Sequence, residues 1–328
     1  MKTKLGITLS VLLAFSTPVL ADLTAVEIDQ KYGVINETGK LVIPAKYDYV
    51  GKFSDGLAKV KIDDDWGFIN KTGELVISTK YKYKFVDEFS DGLALVVLNS
   101  FSFGGLFVGE RGFINKTGEL VIPAKYDDAG NFSDGLARVQ IDDKWGFINK
   151  TGELVIPAKY DDAGNFSDGL AVVRINDTVG FINKTGELVI SAKYDNAGDF
   201  SNGLALVKIN DKYGFINKTG KLAIPTQYDF ADKFSDGLAR VEINGKYGFI
   251  NKTGKLVIPA KYDDAEDFSN GLAAVKINGK YGFINKTGEL VIPAQYDDAE
   301  DFSNGLALVK TNGKYRFINK TGKVVFEK

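Results

Sequence analysis

An aromatic residue followed by glycine returns at a fixed interval along this chain, and the interval limits what the chain can fold into. The glycines are Gly33, Gly67, Gly112, Gly146, Gly180, Gly214, Gly248 and Gly282, with Arg316 in the ninth position; every step is 34 residues except the 45 between Gly67 and Gly112. The stretch KWGFINKTGELVIP, residues 144 to 157, shows the unit around each glycine, and nine such units account for nearly everything after residue 21. A period of this length marks one supersecondary element repeated in tandem. The apolar side chains of a single unit cannot offset the entropy of ordering it, so each unit has to share its faces with its neighbours.

The pattern inside a unit is that of strands. In Leu136 to Ile141 the alternation sets Ala137, Val139 and Ile141 on one face and Arg138 and Gln140 on the other, as expected for a strand with one wet side. A two-residue hairpin follows. It reads Asn-Gly at 244–245, 278–279 and 312–313, the pair best suited to positive φ, and Asp142-Asp143 or Asn210-Asp211 in other copies. The second strand is Trp145 to Asn149, and Asn149-Lys150-Thr151-Gly152 reverses the chain into a third, Glu153 to Ile156, with Leu154 and Ile156 read as core-facing and Pro157 as its stop. The connector from Ala158 to Gly169 is rich in turn formers and is read as irregular, with Tyr160 and Phe166 as anchors. No helical period occurs after the first segment.

Trp66-Gly67-Phe68-Ile69-Asn70 and Trp145-Gly146-Phe147-Ile148-Asn149, each followed by Lys-Thr-Gly, resemble the WG-repeat family, also written KWG. The resemblance runs from Leu23 to about Val325. It departs at Arg111 and Val179, which replace the aromatic, at five tyrosines in the same place (Tyr32, Tyr213, Tyr247, Tyr281, Tyr315), and at Arg316. What it implies is a bacterial, β-rich tandem array with no assigned chemistry and no catalytic residues to carry over. The fold expected is therefore all-β: nine three-stranded antiparallel meanders in an open, curved or superhelical array, with a closed propeller-like ring as the alternative. The open form is preferred because every unit is complete, from Leu23–Ile28 in the first to Lys323–Phe326 in the last, leaving no terminal strand to pair across a closure.

Residues 1–21 differ from the rest. Lys2 and Lys4 precede an apolar run, Leu5 to Phe15, then Pro18 and Val19-Leu20-Ala21, the three-part pattern of a signal peptide cleaved after Ala21. Export to the periplasm or the extracellular space is expected, with 22–328 as a single array and no integral membrane segment once the signal is removed. The chain has no cysteine and no histidine, which excludes disulfides, thiol nucleophiles, the commonest general base and most zinc ligand sets. Its 41 basic and 43 acidic residues argue against a nucleic-acid footprint. No catalytic residue, metal ligand or cofactor is assigned, and the protein is read as non-enzymatic.

Candidate sites follow from what repeats and what does not. The pre-glycine aromatics, Trp66 and Trp145 foremost, either stack sugars or pack on the adjoining unit. The paired acids, such as Asp127-Asp128 and Asp161-Asp162, lack the spacing of a calcium loop and recur too often for a glycosidase pair, so they read as solvated turn residues. Asn-Lys-Thr in eight units fits the N-glycosylation pattern, but the turn itself accounts for it. The eleven extra residues break the symmetry: two in Lys80 to Phe85 and nine in a hairpin lengthened over about 98–110. Phe101, Phe103, Leu106 and Phe107 make its arms apolar, as a lid on the array or a contact for a partner or second copy. The leading expectation is an exported scaffold that binds a protein partner; the alternative is a cell-wall or glycan-binding module using the aromatic row.

Overall fold

The computed structural model describes residues 23–78, 83, 85–103 and 106–327, with side chains described outside 99–108; residues 1–21, read from sequence as a signal peptide, lie outside this set. All regular structure within it is β. The strands form nine separate antiparallel sheets, four-stranded except the first, which has three. We number these sheets as blades 1 to 9, spanning 23–47, 49–78, 85–126, 128–160, 162–194, 196–228, 230–262, 264–296 and 298–327.

Blade 4 shows the construction. Asp128–Ala129 is a short inner strand, Leu136–Ile141 the second, Lys144–Asn149 the third and Leu154–Tyr160 the outer one. The inner strand comes from the connector, which sequence had read as irregular: Asp128 pairs with Gln140 and Ala129 with Val139 of the following strand. The outer strand also overruns its expected stop. It passes through Pro157 to Tyr160, because an edge strand has one side free of ladder bonds and tolerates a missing N–H there.

That outer strand explains the recurring glycine. Trp145 pairs with Tyr160 and Phe147 with Ile156, so the segment 157–159 bulges opposite Gly146. A Cβ at Gly146 would lie 2.6 Å from both Ile156 O and Ala158 N, backbone atoms that cannot rotate away. In blade 9 the ladder stays straight at this point, Arg316 opposite Glu327 and Phe317 opposite Phe326, and a side chain fits. The Asn-Lys-Thr-Gly turn is equally determined. Asn149 Oδ1 accepts from the Thr151 amide at 3.0 Å, the Thr151 hydroxyl at 2.6 Å and the Glu153 amide at 3.1 Å, and Gly152 takes φ +82°.

The cores lie between blades. Leu136, Trp145, Phe147, Ile156 and Tyr160 of blade 4 close on Ala163, Phe166, Ala171, Val173 and Ile182 of blade 5. Phe147 and Phe166 meet edge to face, centroids 4.8 Å apart, and the same pair recurs from Phe113–Phe132 to Phe283–Phe302. Ile156 is fully buried, as read from sequence, but Leu154 is 44% exposed and sits on the rim.

The nine blades close into a ring, which corrects the open array. Val26 and Ile35 of blade 1 are buried with Leu306 of blade 9, flanked by Ile28, Phe317, Val325 and Phe326. Asn304 Nδ2 donates to Leu23 O at 2.8 Å across 281 residues. The reasoning from terminal strands fails because closure shares no strand: the apolar face of blade 9 packs on that of blade 1, as at every other joint. This is the propeller-like alternative, with the inner strand as the fourth of each blade.

Candidate functional site

The aromatic row is largely taken up in the joints. Trp145 is 8% exposed and packed toward Ala163 of the next blade. Its free face carries the guanidinium of Arg138, 4.7 Å from the ring centre, and that guanidinium donates to Ala163 O. Trp66 is half-buried, met edge-on by Tyr49 at 5.8 Å and covered by Lys59 at 5.0 Å. Lys59 is itself buried and donates to Val86 O of blade 3 at 3.1 Å. Arg240, Lys276 and Lys310 lie over Tyr247, Tyr281 and Tyr315 at 5.4, 5.1 and 4.9 Å. A basic residue of the second strand therefore covers the aromatic of the third in these blades.

The acidic connectors also have structural partners. Asp161 accepts from Lys144 Nζ at 2.5 Å within its own joint and from the Asn176 amide of the next hairpin at 2.6 Å. The Lys144 ammonium, with that amide, holds the Asp161 carboxyl below its usual range. Ser133 Oγ donates to Phe166 O at 2.7 Å, and Asp134 Oδ2 accepts from the Gly169 amide at 2.7 Å, each bond joining one blade to the next. These groups act as ties between blades. Among the described residues no cluster of three or more candidate ligands is arranged to hold a metal ion.

The hub of the ring is where copies differ. The two residues after each inner alanine or valine vary: Gly51-Lys52, Asp87-Glu88, Gly130-Asn131, Gly164-Asn165, Gly198-Asp199, Asp232-Lys233, Glu266-Asp267 and Glu300-Asp301; of these, Gly51, Lys52, Glu88, Glu266, Glu300 and Asp301 line a common cavity. At two of the glycines the next blade's side chain leans over the backbone: a Cβ at Gly164 would meet Asp199 Oδ1 at 2.8 Å, and one at Gly130 would meet Asn165 Oδ1 at 2.8 Å. Blades 3, 8 and 9 carry carboxylates at both places. Burial, then the neighbouring Asp232, pushes the Asp267 carboxyl up to about 6; burial, then Glu266 and Asp267, does the same to Asp301. Arg240 offsets part of this crowding, bonded to Asp232 and 3.7 Å from Glu266.

A cavity of 840 Å³ opens from the hub at the joint of blades 9 and 1. Leu23, Thr24 and Ala25 form one wall and Asp298 to Asp301 another, with Lys52, Glu88 and Glu266 from three further blades around it. Residues of five blades meet at one cavity only because it lies at the centre of the ring.

The family model for the WG containing repeat matches residues 32–64, 66–100, 112–145, 145–178, 180–213, 213–247, 247–281 and 281–315. The chain belongs to the WG-repeat family. This WG-repeat ring resembles in fold a structure titled as that of the eukaryotic initiation factor, with TM-score 0.65 and 13% identity over 94% of this chain and 95% of that one. It also resembles Porphyromonas gingivalis dipeptidyl peptidase 4, with TM-score 0.57 and 11% identity over 85% of this chain, and spans 59% of that chain's length. At such identities the likeness is one of fold. No curated protein matches the chain.

Within the WG-repeat ring, the lengthened hairpin belongs to blade 3. Leu93–Phe103 pairs with Leu106–Asn115, Phe103 opposite Leu106 and Phe101 opposite Val108, with a shift between Val108 and Glu110. Residues 104–105 and the side chains of Phe101, Phe103, Leu106 and Phe107 lie outside the described set. The structure thus brings Trp66 and Trp145 into separate joints, and Leu98 at the root of the hairpin borders the same core as Trp66. The hub pairs were missed in the sequence, although a signal existed: they vary from copy to copy between an inner alanine and a phenylalanine that scarcely vary.

Proposed function

We propose that this WG-repeat ring is an exported, non-enzymatic scaffold that binds a protein partner. The observation that carries this reading is the distribution of difference among its copies. Aromatics, turn residues and connector acids that repeat are engaged in holding blade to blade, whereas charge around the hub changes from unit to unit and the lengthened hairpin occurs in blade 3 alone. A surface individualised on a uniform frame is how repeat proteins build recognition. Glycan recognition by the aromatic row draws no support from rings whose faces lysine and arginine cover.

The test is co-purification of the full chain from its native cells beside two variants, one lacking residues 100–109 and one carrying E300K and D301K. At least one specific partner is expected to be lost from one variant, while circular dichroism stays that of a β protein. Retention of the same proteins by all three, or turnover of glycoside or ester substrates by the purified chain, would refute it. N-terminal sequencing of the exported form is expected to begin at Asp22.

A further inference from the structure

Among the described residues, which begin at Leu23, blade 1 has no counterpart of the hub strand that every other blade carries. Its first strand, Leu23–Ile28, is the counterpart of Leu136–Ile141, since Leu23 pairs with Asn36 as Leu136 pairs with Asn149. In blade 4 the hub side of that strand is occupied: Gly130 N donates to Arg138 O at 3.0 Å, and Ala129 pairs with Val139. The counterparts in blade 1 are Ala25 and Val26, and no described strand lies along them. The 840 Å³ cavity occupies that place, and Thr24, which lines it, has a buried hydroxyl with no hydrogen-bond partner.

The residues immediately before Leu23 are poorly suited to fill it. Elsewhere the inner strand reaches the second through a turn with two positive φ angles, Asp134 at +54° and Gly135 at +86°. The same places before Leu23 are Ala21 and Asp22, and alanine is costly at positive φ. The proposed cleavage after Ala21 removes the segment altogether.

The charge around the cavity selects its occupant. Glu88, Glu266, Asp298, Glu300 and Asp301 stand there against Lys52. An open backbone edge beside crowded carboxylates suits an extended segment that supplies both ladder bonds and positive charge. We propose that the hub edge of Leu23–Ile28 receives an extended, basic segment of a partner protein, which adds to blade 1 as its fourth strand. This rests on the binding-scaffold reading and names one place where that binding occurs. Occupancy also ties blade 9 to blade 1, because the added strand lies against both Ala25 and the Asp298 to Asp301 wall.

The probe is a ten-residue peptide of alternating lysine and valine, labelled and titrated by fluorescence anisotropy against the processed chain beginning at Asp22 and against the full chain. Three controls accompany it: a glutamate–valine peptide, a lysine–valine peptide with prolines at alternate positions, and the E300K/D301K ring. Saturable binding is expected for lysine–valine alone. It should weaken at least tenfold with the prolines and with E300K/D301K, and raise the unfolding temperature of the ring. Equal binding of the proline peptide, or binding unaltered by E300K/D301K, would mean surface charge attraction and would overturn the groove. No binding to a folded ring would also overturn it, while partner capture that depends on 100–109 would leave the scaffold reading standing. Binding to the processed chain but not to the full chain would make the chain's own leader the occupant. A dimer dispersed by the peptide would make it a second copy. Either result overturns the proposal.

Discussion

Replacing Gly146 with alanine puts one methyl group where the outer strand bulges over its neighbour. The new Cβ would sit 2.6 Å from Ile156 O and Ala158 N and 2.9 Å from Ala158 Cα, all backbone. Overpacking of this kind costs about 1–3 kcal/mol, and the immobility of the backbone puts this site at the upper end. Alanine recovers about 0.4–1 kcal/mol by restricting the unfolded chain. A net loss of about 2 kcal/mol follows, or roughly 4 °C in Tm at about 2 °C per kcal/mol for a chain of this size. Arg316→Ala is the matched control. There the ladder is straight, and the change removes only an exposed 3.2 Å ion pair to Glu327, worth under about 1 kcal/mol. Thermal unfolding followed by circular dichroism distinguishes the two. If Gly146→Ala melts with the parent, or Arg316→Ala costs as much, the bulge is not the reason for the glycine.

Gln30 holds φ +65° in the first hairpin beside Asp29 at +49°, so Gln30→Gly should stabilise the ring by about 0.5–1 kcal/mol in urea unfolding. The joint of blades 9 and 1 buries three apolar residues where that of blades 4 and 5 buries ten, so amides of Leu23–Ile28 should exchange faster than those of Leu170–Ile175 in hydrogen-exchange mass spectrometry. Asp267 and Asp301 have folded pKa values of about 6. Between about pH 4 and 6 the folded state therefore binds more protons than the unfolded, and stability rises as pH falls through that window. The contribution is about 1 kcal/mol per group after allowing for solvent, and D267N/D301N should flatten that part of the Tm–pH curve.

Much of the blade was legible because it is local. Alternation in Leu136–Ile141, Asn-Gly hairpins and the Asn-Lys-Thr-Gly turn are short-range signals with one dominant geometry each. What was misread depended on neighbours. Pro157 is a stop in a central strand but not at an edge, and Leu154 is apolar yet lies on an outer strand whose inward side is filled by Ile156. Asp128-Ala129 looks like a turn because two residues carry no periodicity; only the Gln140–Val139 edge beside it makes them a strand. Closure was hidden for a related reason. It depends on how far each blade rotates relative to the last, which is set by Phe147 against Phe166 and Tyr160 OH donating to Gly186 O at 3.4 Å, and no pattern within one unit encodes an angle.

The ties described here, Ser133 to Phe166 or Asp134 to Gly169, link neighbours along the chain, while Asn304 to Leu23 spans 281 residues. Loop-closure entropy is therefore small for every joint but the last, and assembly can run like a zipper from any starting blade. Until Val26 and Ile35 meet Leu306, the growing array presents two bare apolar ends. Two chains paused at that stage would fit one another as well as each fits itself, so dilute refolding should yield rings and concentrated refolding linked multimers.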